Sequence, residues 1–486
     1  MAATSAKRAW VPVLTVAAAL VIGSACGPSA TKPDTSTTLK GPLSSNGRWL
    51  TDASGRVVLL HGFNQVSKLA PYYPAAFGFD DDDAAFLADN GFNVVRVGVV
   101  PEGLMPAPGA VDAAYIEHLA QTVDSLARHS MFVLLDFHQD GYAPMFNGNG
   151  FPDWMALTDG EPNPKDAVFP LYYVQNPAMQ RAFDHFWANS PGPDGVGLQD
   201  AFMKGFDAVV QRFAGNPWVL GYEPINEPWP GSDWVRCTTA PGCPDLEMTL
   251  LKPFYQRALD IVRQHDNRQF LFVEPFVLFN FGKAMTSVPA IAGPQVALSF
   301  HSYALDIAGE QGVVRNALAA AEAQDVPLLA TEFGATQDPA TLDRLAGQLD
   351  GAILPWIEWA YNGMVADAMK PAGLDNLKNG EAFTALVRPY PLLVNGTPES
   401  LSFDPSSAQL QFTYSTMTPD GRPAAAGLMT VVSVPGLRYP HGYTTTVEGA
   451  DVVSAPCAPA LVLRNRKGTA GVTVRIAPAS ECRSGS

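Results

Sequence analysis

Eight short, nearly continuous apolar runs constrain the fold more than any other feature of this chain. They occupy residues 57–60, 94–99, 132–137, 219–222, 270–273, 296–300, 328–331 and 353–359. A strand with one wet face alternates polar and apolar residues. A run that is apolar at almost every position is covered on both faces, as in a parallel sheet flanked by helices. Between the runs lie helical patterns at 80–90, 113–129, 198–213 and 248–265, with Gly91, Gly215 and Asn267 placed to stop them. Eight parallel strands with intervening helices predict an α/β fold, a (β/α)8 TIM barrel. The alternative, a doubly wound open sheet, normally carries a Gly-rich phosphate turn after its first strand. His61-Gly62-Phe63-Asn64 is not such a turn.

The pattern changes near residue 385. Beyond it come short alternating stretches, such as 409–415 and 427–434, separated by turn clusters at Asn395-Gly396, Pro419-Asp420-Gly421 and Pro435-Gly436. This predicts a C-terminal antiparallel β-sandwich over 385–486, following a barrel over 43–384. At the other end, Lys7 and Arg8 precede an apolar run at 9–22 and the small residues Gly23-Ser24-Ala25-Cys26. That is the layout of an export signal, too short for a comfortable membrane span. Cys26 after small residues resembles a bacterial lipoprotein box, although Gly23 stands where Leu is usual. Residues 27–42 are rich in Thr, Ser, Pro and Lys and read as a tether, so 1–42 is assigned to signal and tether. The expected location is secreted or held at the cell surface as a lipoprotein.

Four further cysteines fit an oxidising compartment, and each pairs with its neighbour: Cys237 with Cys243, and Cys457 with Cys482. No His clusters with either pair, so a metal role is disfavoured. No cofactor is expected. The formal charge of −16 repels phosphate backbones and excludes nucleic acid as a natural partner. Asp80–Asp83 resembles a calcium loop but lacks the ligand spacing and reads as a helix cap.

In TIM barrels chemistry is carried at the C-terminal strand ends. There the sequence places Arg96, Asp136, His138, Asp140, Asn226, Glu227, Glu274, His301, Tyr303, Glu332, Glu358 and Trp359. Strands 4 and 7 face each other across a barrel, so Glu227 and Glu332 can flank one sugar. Glycoside hydrolysis needs such a pair, one protonated and one ionised. Tyr303 and Arg96 are expected to hold Glu332 ionised and lower its pKa. The negative Glu332 is expected to raise that of Glu227. Glu223 is the other strand-4 carboxylate and reads as a supporting group, because Asn226, able to hold a sugar 2-hydroxyl, precedes Glu227. Glu274 and Glu358 read as supporting groups or sugar ligands. His138 and His301 could be satisfied core histidines, and Trp359 a core aromatic instead of a sugar platform.

The ordered set Arg96, His138, Asn226-Glu227-Pro228, His301-Ser302-Tyr303, Glu332-Phe333-Gly334 and Trp359 resembles the retaining glycoside hydrolases of family 5. The strand-3 motif Asp136-Phe137-His138-Gln139-Asp140, the insertion 148–154 and the run Glu227-Pro228-Trp229-Pro230-Gly231 are similar to those of endoglycoceramidases within it. The resemblance implies Glu227 as acid/base, Glu332 as nucleophile, and hydrolysis of the glycan–ceramide bond of glycosphingolipids. It also implies transient contact with a membrane surface; a monomer is expected. Phe146, Phe151 and Trp154 stand in mouth loops with a heavy apolar load and are expected to line a lipid slot, unless they pack the loops onto the barrel. Two alternatives remain: a β-glucosidase on steryl or simple glucosides or a cellulase-like endoglycanase, and an inactive glycan- or lipid-binding surface protein.

Overall fold

The computed structural model describes residue 1 and residues 37–166, 169–239, 241–282, 290–361 and 380–482. The signal, Cys26 and most of the tether lie outside the described residues. Eight parallel strands close into a barrel in chain order: His61–Gln65, Val94–Val99, Phe132–Phe137, Val219–Glu223, Phe270–Val273, Val296–Ser302, Leu328–Phe333 and Trp356–Glu358. Seven of the eight apolar runs fall on them. The first does not. Val57–Val58 pairs instead with Leu393 and Val394 in a seven-stranded sheet shared with the C-terminal region. The run at 57–60 is apolar because it is covered on both sides at this junction, not because it lies in the barrel. The true first barrel strand, with His61, Asn64 and Gln65, is more polar, yet its side chains are buried, Asn64 by hydrogen bonds on both its amide atoms.

Side chains alternate along each barrel strand. Val95, Val97 and Val99, or Val133, Leu135 and Phe137, point outward and join the core beneath the helices. Val94, Leu134, Phe270, Phe272 and Ala297 join a second cluster with Leu39, Leu50, Val58, Leu393 and Val431. That cluster closes the N-terminal end of the barrel with the seven-stranded sheet. Two residues further along the same faces come Arg96, Asp136 and Glu274, and on the sixth strand Ser299 and then His301. The period of two thus hands each strand from an apolar plug to a polar mouth.

The helices begin where the sequence supplies caps. Asp80 accepts from the backbone N–H of Asp82 and Asp83, while Asp83 accepts from the N–H of Asp80, a capping box for the helix Asp81–Asp89. This is the helix cap expected of the acidic run. The C-terminal strands form a four-stranded antiparallel sheet packed on the seven-stranded one, with a core that includes Leu410, Phe412, Tyr414 and Val474. Both expected disulfides are present, Cys237–Cys243 and Cys457–Cys482.

Barrel and sandwich are joined by a buried polar cluster. Asp350 accepts from Arg388 Nε at 2.7 Å and from Trp356 Nε1 at 3.0 Å, with His61 Nε2 3.4 Å away. His61 is stacked between Trp356 and Tyr390, and burial pushes its pKa down to about 3. Asp350→Ala leaves Arg388, itself 2 % exposed, as a buried and less compensated cation. Such a loss costs about 3–5 kcal/mol. Urea unfolding should show a lowered midpoint for this variant. An unchanged midpoint would mean that the cluster is not what couples the two parts.

Candidate active site

Arg96 is the centre of the mouth and is 0 % exposed. Its Nε donates to Glu223 Oε2 at 2.6 Å. Nη1 donates to Glu332 Oε1 at 2.6 Å and to Asn64 Oδ1 at 2.9 Å. Nη2 donates to Asn226 Oδ1 at 2.7 Å and lies 3.0 Å from Asp136 Oδ1. One guanidinium therefore ties strands one, two, three, four and seven together by a fixed fork of donors. Glu223 is held here, away from the cavity, in the supporting role read for it. Asn226 uses its amide inside the same network, donating to Gln139 O at 2.9 Å.

Glu227 and Glu332 meet around His301. One oxygen of each carboxylate and one ring nitrogen all lie within 4.8 Å of one another. His301 Nδ1 is 2.9 Å from Glu227 Oε1 and 3.5 Å from Glu332 Oε2. Tyr303 donates to Glu332 Oε2 at 2.9 Å. Glu227 takes a positive φ of 43°, a conformation costly for a residue with a side chain. Its neighbours hold it there. Gln139 Nε2 donates to the carbonyls of Asn226 and Glu227, and the Glu227 N–H donates to Glu274 Oε2 at 2.9 Å.

A second chain of charges runs along the wall. His138 lies 2.7 Å from Asp136 Oδ2 by Nδ1 and 3.2 Å from Asp140 Oδ2 by Nε2. Asp140 also accepts from Lys68, whose ammonium lies 4.4 Å over the Trp359 ring. Trp359 stacks on His138. His138 is thus buried with both ring nitrogens satisfied by carboxylates, whereas His301 leaves Nε2 without a partner among the described residues and sits between Glu227 and Glu332. Trp359 lines the cavity. Lys68 and Asn64 were missed by sequence reading because the first barrel strand was placed four residues early, which moved its C-terminal end away from them.

These groups open into a cavity of about 850 Å³. Lys68, Asp140, Glu227, Tyr303, Glu332 and Trp359 are among the groups that line it. Leu69, Phe169, Leu171, Val277, Leu278 and Phe281 form an apolar part of the same lining, the apolar arm. The slot expected from Phe146, Phe151 and Trp154 is therefore corrected. Phe146 and Phe151 are 0 % exposed and pack on Tyr142, and Phe151 also on Phe186. Trp154 is half-buried and donates to Met105 O. All three anchor the loop to the helix layer, where their large rings gain most by leaving water. The arm is built instead by the segments around 169–174 and 277–281.

The model of the cellulase family, glycosyl hydrolase family 5, matches residues 51–364, and that of the glycoside hydrolase family 5 C-terminal domain matches 388–477. The chain belongs to glycoside hydrolase family 5. Within that family it is endoglycoceramidase-like. It is 34 % identical to endoglycoceramidase I of Rhodococcus hoagii (strain 103S), covering 91 % of this chain and 92 % of the relative. Among solved structures it resembles the lactosyl-enzyme intermediate of endo-glycoceramidase II from Rhodococcus sp., with a TM-score of 0.69, 28 % identity, and coverage of 89 % of this chain and 99 % of that one. The ganglioside GM3 complex of that enzyme matches equally well.

For a member of this family the protonation of the two carboxylates decides what the site can do. Burial raises Glu227 to about 7, and Asp140 adds to the effect, against His138, Lys68 and Arg96. Burial, with Asp140 as the negative neighbour, is thus the main cause, in place of the expected Glu332. Burial also raises Glu332, which corrects the expected lowering, although His301 and Arg96 pull it back. His301 falls to about 4 through burial and is neutral at pH 7. A group that must donate a proton works below its pKa and fails above it. So kcat/KM on a substrate needing acid assistance should fall as pH rises through about 7. A pH–rate profile measures this limb. A limb near the ordinary glutamate value would contradict the assignment.

Proposed function

We propose that the protein is a retaining endo-β-glycosidase that hydrolyses the glycan–ceramide bond of glycosphingolipids. The observation that carries this reading is one cavity in which paired carboxylates meet an apolar arm. In retaining glycosidases the two carboxyl groups stand about 5–5.5 Å apart. Oxygens of Glu227 and Glu332 within 4.8 Å fit that class. The polar groups of the lining suit a sugar, and its apolar members suit hydrocarbon, each buried methylene contributing about 0.8 kcal/mol.

The reaction then runs in two displacements. The Glu332 carboxylate forms a bond to the anomeric carbon as the bond from that carbon to the ceramide oxygen breaks. The leaving oxygen keeps the electron pair and takes the Glu227 proton, which releases ceramide. Glu227, now a carboxylate, takes a proton from water. The water oxygen attacks the same carbon, and Glu332 departs. Two inversions give net retention.

The N-terminal pattern supports export, with the mature chain either released or anchored through Cys26. Two disulfides suit an oxidising compartment. No helix among the described residues is long and apolar enough to cross a membrane. The chain is taken to work as a monomer. Contact with the membrane is transient in this reading. Its support is the rim of the cavity, where Leu69, Phe169 and Leu171 are 46 %, 60 % and 48 % exposed.

Incubation with lactosylceramide should release intact lactose and free ceramide, identified by mass, while soluble β-glucan is left unchanged. Turnover of glucan alone would overturn the substrate reading. Glu227→Gln should lower kcat/KM on lactosylceramide by about 10²–10⁴-fold. Glu332→Gly should be inactive until azide is added, and the product should then be a glycosyl azide of inverted configuration. Near-normal activity in either variant would remove the assigned pair.

A further inference from the structure

We propose that Asn280 is a positioning residue that fixes which oxygen of Glu227 carries the acid proton, by occupying Oε1 and leaving Oε2 to face the leaving group. The role rests on the retaining-glycosidase reading of Glu227 but not on the identity of the aglycone.

Asn280 sits on the short helical turn Val277–Phe281 after the fifth barrel strand and is 0 % exposed. It does not line the cavity, whereas Glu227 does. Its Nδ2 donates to Glu227 Oε1 at 2.7 Å. His301 Nδ1 approaches the same oxygen at 2.9 Å. Other oxygens near that nitrogen belong to Glu274 at 3.4 Å and Glu332 at 3.5 Å. Because the Asn280 N–H makes Glu227 Oε1 an acceptor, His301 Nδ1 beside that oxygen is the nitrogen that bears the hydrogen, a tautomer assigned from its partners. Glu227 Oε1 therefore receives two N–H donors. Oε2 makes no hydrogen bond among the described residues.

In a neutral carboxylic acid the carbonyl oxygen is the good acceptor and the hydroxyl oxygen is the donor. Two donors on Oε1 make it the carbonyl oxygen. The proton is then confined to Oε2, on the cavity side, where the leaving oxygen can take it. After the first displacement the same two donors hold the carboxylate, so Oε2 stays in place to deprotonate water. Asn280 Oδ1 has no partner among the described residues, so the bond to Glu227 is what orients the amide. The backbone of Asn280 has a separate task. Its carbonyl accepts from Tyr303 N at 3.0 Å, a bond that survives side-chain replacement.

The test compares leaving groups. Aryl β-lactosides with a 2,4-dinitrophenyl leaving group need no proton, whereas the phenyl lactoside does. Asn280→Ala and the similarly shaped, uncharged Asn280→Leu each remove the donor, and the second guards against a cavity in the first. Both should lose roughly tenfold or more in kcat/KM on the phenyl lactoside and less than about twofold on the dinitrophenyl one. The slope of log(kcat/KM) against leaving-group pKa should steepen accordingly. A merely structural role would lower both substrates alike, and that result, or no change on either, overturns the proposal. Wild-type protein that hydrolyses the aryl lactosides but leaves lactosylceramide intact would sink the ceramide reading alone, with the Asn280 comparison still decisive.

Discussion

The buried Arg96 guanidinium is the constraint on which the rest of the site depends. Asp136, Glu223 and Glu332 all touch it, and Glu274 lies near enough to feel its charge. Removing several carboxylates from water is costly, and they would take up protons to avoid it. A neutral Glu332 could not attack carbon. Arg96 opposes that drift at the atom where it matters, through a 2.6 Å bond to Glu332 Oε1. Its planar fork also sets angles, which a lysine ammonium would not. So one side chain supplies both the charge balance and the alignment of strands that carry acid and nucleophile.

Such a cluster can exist because the barrel isolates it. Its lower end is closed by Leu60, Leu134, Phe270 and Phe272 against the sheet that holds Val58 and Leu393. Those layers provide the hydrophobic stabilisation. The mouth can then be given to ions that contribute little net stability or none. The strand periodicity links the two: Val94 lies below Arg96, Leu134 below Asp136, and Phe272 below Glu274. A one-residue slip in any of these strands would exchange the plug for the site.

Much of this was legible in the sequence, for a physical reason. Strands such as Val94–Val99 and Phe132–Phe137 are covered on both faces, so their apolar runs have sharp ends, and the polar residues past those ends had to be at the mouth. Glu227, Glu332, His301 and Tyr303 stand out in this way, and Arg96 as the one charged residue inside the run 94–99. Where burial is achieved by hydrogen bonding, the signal fails. The first strand hides Asn64 by bonds to Arg96, Thr331 O and Glu358 O, and no hydrophobic pattern announces it. Lys68 was lost with that strand. Asn280 lies in a turn without periodicity. Phe146 and Phe151 show the converse: large rings in a loop demand burial, but the sequence does not say against what.

The apolar arm and the behaviour of the acid have one origin. Tyr172 and Tyr173 line the cavity, and each is close enough to Glu227 to be affected by its charge. A wall of rings and aliphatic chains beside a carboxyl excludes the water that would stabilise its ionised form, and the proton is retained to about pH 7. The same wall is what a hydrocarbon aglycone would be buried against. Filling the arm would exclude more water and strengthen the remaining charge interactions, including those of Arg96 with Glu332. Recognition of an oily leaving group and readiness to protonate it therefore follow from one arrangement of side chains.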